Sequence, residues 1–86
     1  MDINQLISII KNKIEKNILI EEIKIEDKTF LHKKHQSYQE GKFHIKLVIK
    51  SSKLKKINKI DSTKKIYNIL NEELKKYIHS IQILII

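Results

Sequence analysis

Four histidines, His32, His35, His44 and His79, are the imidazole metal donors of a chain that contains no cysteine. Imidazole is the commonest metal-ligating side chain. His79 follows an apolar stripe at helical spacing and precedes an alternating run, so it stands where a helix ends and a strand begins. A neutral imidazole there can ligate iron, as histidines do in Rieske-type clusters. A histidinium there would instead gain about 0.3–1 kcal/mol from the helix C-terminus. On the residues alone, the helix-end reading is the preferred one. His32 and His35 form a His-x-x-His pair in a polar stretch. Two such ligands contribute to a zinc site without completing one. His44 opens an alternating run, on the face opposite Phe43, Ile45 and Leu47. Without cysteine the chain offers no disulfide, no Cys-based zinc site and no thiol catalysis. A metal here must be held by histidine and carboxylate, or a partner must supply thiolates.

Motifs for catalysis are missing. The sequence has no Gly-rich phosphate loop and no nucleophile elbow, and Glu72 and Glu73 read as helix surface charges. The expectation is a binding module rather than an enzyme.

Composition sets the bounds. Eighty-six residues suffice for one domain and one modest core, so residues 1–86 are read as a single domain. All 18 basic residues are lysine and the net charge is +8. That charge attracts phosphate backbones or other anions. Lysine lacks the planar fork that reads guanine edges, so the attraction is non-specific first. The abundance of Lys, Ile and Asn reflects AT-rich coding, which discounts part of the lysine excess. Lys53, Lys55, Lys56, Lys59, Lys64 and Lys65 are the candidate nucleic-acid-binding residues. The chain has one glycine, Gly41, so the Gly-x-x-Gly clamp of KH domains is absent. No signal-peptide pattern opens the sequence, and the longest apolar run is too short to span a bilayer. A cytoplasmic location without membrane contact is expected.

These residues need elements to position them. Ile3, Leu6, Ile7, Ile10 and Ile14 predict an amphipathic helix over 2–16 with Asp2 as N-cap. Ile23 and Ile25 alternate with charges and predict a strand within 18–27. Residues 28–42 read as a long loop. Phe43, Ile45, Leu47 and Ile49 form one face of a strand over 43–50. Residues 51–60 read as a basic connector with a short helical turn. Asp61 or Ser62 is expected to cap a helix running to about Ile78, striped by Ile66, Leu70, Leu74, Tyr77 and Ile78. Ile81, Ile83 and Ile85 predict a final strand. The α-β-β-α-β order predicts an α+β fold: a three-stranded mixed sheet with helices packed on one face.

Four segments stand in the register of a known family. Ile25-Glu26-Asp27-Lys28-Thr29, with His32 downstream, matches a "V-D-E-S" turn. His44-Ile45-Lys46-Leu47-Val48-Ile49-Lys50-Ser51 matches "H-F-x-V-x-V-V-S". Ile66 to Leu74 matches "V-Y-x-x-L-x-E-E-L", and Ile78-His79-Ser80-Ile81 matches "I-H-A-L". The sequence therefore resembles the BolA family, whose fold is similar to class II KH domains. Ser62-Thr63-Lys64 replaces the family's "R-H-R" triplet, leaving Lys64 as its one basic residue. The resemblance implies an adaptor for a monothiol glutaredoxin that shares a bridging [2Fe-2S] cluster, in iron–sulfur trafficking or iron regulation. His79 and His32 would be this chain's ligands, with His35 as the alternative to His32. The sulfur ligands would come from the glutaredoxin and glutathione, so the isolated chain would hold no cofactor. The free protein would be a monomer or weak dimer. The other reading is a DNA-binding regulator using the lysine-rich face.

Overall fold

The computed structural model describes residues 1–29 and 42–86. Helix α1 spans Ile3–Asn17. Its start is fixed by a capping box: Gln5 N–H donates to the Asp2 carboxylate at 2.9 Å, and Asp2 N–H donates to Gln5 Oε1 at 3.1 Å. Both groups are helix-end donors that would otherwise rely on water. Asp2→Ala is expected to lower stability by about 1 kcal/mol. A urea melt that matches wild type would show that the cap is redundant.

Strand β1 (Glu22–Asp27) pairs antiparallel with β2 (Phe43–Lys50). Strand β3 (Ile78–Ile85) pairs parallel with β2. The sheet order is β1-β2-β3, so β2 is central. Its inward residues Ile45, Leu47 and Ile49 are buried against Leu6, Ile10 and Ile14 of α1 and against Ile66 and Leu70. The expected three-stranded mixed sheet with its helices is the fold observed.

Between β2 and β3 run three helices: α2 (Ser52–Lys55), α3 (Lys59–Ile69) and α4 (Asn71–Lys76). Here the structure departs from the sequence reading. The cap is Asn58, whose side chain accepts from Asp61 N–H, and not Asp61 or Ser62. Ser62 is buried, its hydroxyl donating to the Lys59 carbonyl. The helix then breaks at Leu70, which leaves helical geometry at φ −98°, ψ 17°. The first strand also begins four residues later than the edge of the expected 18–27 segment.

Glu73 departs most from expectation. It is not a surface charge but 5% exposed, and both its carboxylate oxygens accept from Lys13 Nζ, at 2.8 and 2.9 Å. The pair ties α4 to α1. The Glu73 carboxylate raises the Lys13 pKa, and the hydrogen bond is the main cause.

A second polar tie joins the start of β1 to the connector. Ser51 Oγ donates to the Leu19 carbonyl, and the Glu21 carboxylate accepts from the Ser52 hydroxyl and backbone N–H. Those donors hold Glu21 below the usual glutamate pKa.

Candidate functional site

The site forms at the end of the sheet where β1 stops and β2 begins. Asp27 ends β1 and folds the chain back on itself: its carboxylate accepts from the Thr29 backbone N–H at 2.9 Å and from the Thr29 hydroxyl. This is the local turn that a short acidic side chain favours. Thr29 Oγ1 in turn accepts from His44 N–H at 3.2 Å, and the His44 carbonyl accepts from Lys28 N–H at 2.7 Å. The turn therefore clamps the backbone of His44.

His44 lies on the face opposite Ile45 and Leu47, as alternation requires, yet it is only 3% exposed. Its Nδ1 shares a hydrogen bond with Ser80 Oγ at 2.6 Å. Ser80 is directly opposite His44 in the ladder, while the preceding pair is Phe43 with Ile78. One residue, His79, is left over between the two pairs. Such a bulge re-aims a side chain, and bulges concentrate beside functional sites. The His79 ring meets the His44 ring edge-on, with centroids 4.9 Å apart at 64°.

His79 is thus the second residue of β3, two positions past Tyr77, the C-cap of α4. The strand begins at Ile78 because Phe43 N–H already bonds to the Tyr77 carbonyl. The ring is half-buried and reachable from outside. His32 and His35 lie outside the described residues. Among the described residues no three of His, Asp and Glu converge on a metal position. Of the candidate ligands His79, His32 and His35, His79 is the one within the described residues.

Sequence reasoning missed Ser80 and Thr29. Ser80 stands where the resembled pattern has alanine, and that hydroxyl was the available signal. Thr29 was visible only as the end of the "V-D-E-S" match.

The six candidate lysines are all exposed, and the structure places them on the α2–α3 corner. Five of them line two hollows. Lys53, Lys56 and Lys65 border a hollow against the end of α1, while Lys55 and Lys59 border a groove against β3. Among the described residues no helix is long and apolar enough to cross a membrane.

Comparison with known proteins gives a consistent picture. Residues 14–86 match the family model of BolA-like proteins. A curated relative from Haemophilus influenzae, named DNA-binding transcriptional regulator BolA, is 37% identical over 73 residues, covering 85% of this chain and 68% of its own. BolA1 from Arabidopsis thaliana superposes with a TM-score of 0.75 at 25% identity, over 91% of this chain and 86% of its own. The BolA domain of SufE1 from Arabidopsis thaliana does so with a TM-score of 0.77 at 25% identity, over 99% and 92%.

Proposed function

Since this chain belongs to the BolA-like protein family, we propose that it is an adaptor that binds a monothiol glutaredoxin and shares a bridging [2Fe-2S] cluster with it. The observation that carries this reading is the bulged, half-buried His79 seated against His44. A ligating imidazole needs its ring orientation fixed by surrounding groups. Here the clamp on His44 and the His44–Ser80 bond supply a rigid wall for the His79 ring. His79 offers one nitrogen ligand, and His32, or His35 in its place, offers the second. The chain has no thiol, so the thiolates come from the glutaredoxin and glutathione. The cluster is cargo held between two proteins, in trafficking or in iron-dependent regulation.

The test is anaerobic mixing with a monothiol glutaredoxin, glutathione, iron and sulfide. Wild type is expected to change the visible absorption and circular dichroism of the cluster. His79→Ala is expected to leave the glutaredoxin spectrum as it is without this chain. A wild-type spectrum identical to that of glutaredoxin alone defeats the reading.

A second reading is DNA binding, supported by the name of the Haemophilus influenzae relative and by the exposed lysines of α2 and α3. It requires salt-dependent binding with sequence preference. Equal affinity for unrelated duplexes would reduce it to electrostatics.

A further inference from the structure

The two edges of the sheet are built differently. The β1 edge carries Glu22, Lys24, Glu26 and Asp27, charges of the kind that block pairing with another chain. The β3 edge reads Ile-Gln-Ile-Leu-Ile from Ile81 to Ile85, with neither charge nor proline. Among the described residues nothing pairs with it. Ile86 N–H donates to the Ile49 carbonyl at 2.8 Å, so residue 86 faces β2. In a parallel ladder alternate residues bond to opposite sides. The backbone groups of Ile83 and Ile85 therefore point to the open edge.

A groove of about 250 Å³ runs beside these groups. Ile83, Leu84 and Ile85 all line it, and consecutive strand residues can do so only where a groove opens on the strand's edge. Its far wall is Ile57 on the α2–α3 connection, 41% exposed, flanked by Lys55 and Lys59. The groove thus offers strand donors and acceptors, an apolar seat and two cations.

We propose that the β3 edge and this groove bind an extended acidic peptide segment of a partner protein as a fourth strand. Main-chain bonds to Ile83 and Ile85 supply the pairing, the usual basis of strand addition. An apolar side chain of the segment enters the groove between Ile57 and Ile83, and neighbouring carboxylates face Lys55 and Lys59. The charge excludes the simplest alternative. A second copy of a chain of net charge +8 would bring two such lysine pairs together. This site lies at the opposite end of β3 from His79, so it does not depend on the cluster reading.

The test uses the whole chain and fluorescein-labelled ten-residue peptides that alternate glutamate with valine, read by anisotropy. The acidic peptide is expected to bind at least tenfold more tightly than the same peptide with lysine for glutamate. The double variant Lys55→Glu/Lys59→Glu should reverse that preference. N-methylation of one alternate set of peptide amides should abolish binding, while methylation of the other set is tolerated. His79→Ala should bind as wild type does. Equal binding of both methylated peptides would reduce the contact to charge alone and overturn the proposal. So would displacement of the peptide by a single-stranded oligonucleotide at lower concentration, or sedimentation showing a dimer that the acidic peptide does not dissociate.

Discussion

Lys13→Met is expected to cost about 3 kcal/mol, the low end for breaking a buried ion pair. The cost comes from what stays behind. The Glu73 side chain is 6% exposed and cannot turn to water once its cation is gone. Lys13 is 35% exposed, and its long stem lets the ammonium swing outward. Glu73→Gln should therefore cost less than Lys13→Met. The double variant Lys13→Met/Glu73→Leu should recover most of the loss, because a well-packed apolar pair can replace a buried ion pair with little penalty. Urea melts of the four proteins at pH 7 decide this. Equal losses for the two single variants would show that both partners are solvated.

The same pair has a definite pH dependence. The Lys13 pKa is raised in the folded state. Its contribution is complete below the unfolded lysine value of about 10.4 and is lost as pH climbs through the higher folded value. Wild type should lose none of it between pH 6 and 9.

Leu47→Ala should be the more damaging change, at about 2–5 kcal/mol. Leu47 is fully buried at the middle of the central strand, between Ile25 on β1 and Ile83 on β3. No neighbouring strand can close the cavity without giving up its ladder. For a domain of this size, total stability lies near the low end of about 5–15 kcal/mol, so the variant sits close to unfolding. Leu84→Ala removes the same atoms from a position 44% exposed and should cost under about 0.5 kcal/mol. Comparable midpoints for the two variants would contradict the assignment of the core.

Much of this fold was legible because the patterns were strong. The alternation of Phe43, Ile45, Leu47 and Ile49 admits one strand and one inward face. The stripe of α1 and its Asp2 cap read equally directly. The helix after the connector read poorly at its start because Asn58, Asp61 and Ser62 can all cap. The choice went to Asn58, which leaves Asp61 in the first turn, where a carboxylate faces the positive helix end. Glu73 was misread although a signal existed. It follows Ile66 by seven residues and Leu70 by three, squarely on the apolar stripe. A charge at such a position needs a partner, and the one it takes is remote in sequence. Lys13 lies 60 residues away.

The histidine site was half legible. His79 could be singled out, but its contact with His44 depends on a register shift that no local pattern encodes. The sequence period predicts which face a residue takes, not where a parallel ladder slips by one.

The parallel pairing of β2 with β3 also governs when this site can exist. His44 and Ser80 are 36 residues apart, and the three helices must be threaded between them before the strands can join. Contacts of such long range form after their loop-closure cost has been met, so they belong to the slow part of folding. During synthesis, α1 and the β1–β2 pair can assemble while β3 is still inside the ribosome. A nascent chain at that stage has α1 and the β1–β2 pair but no histidine pair. Any partner that requires both rings engages finished molecules alone, which makes the geometry of two imidazoles a checkpoint on the completeness of the fold.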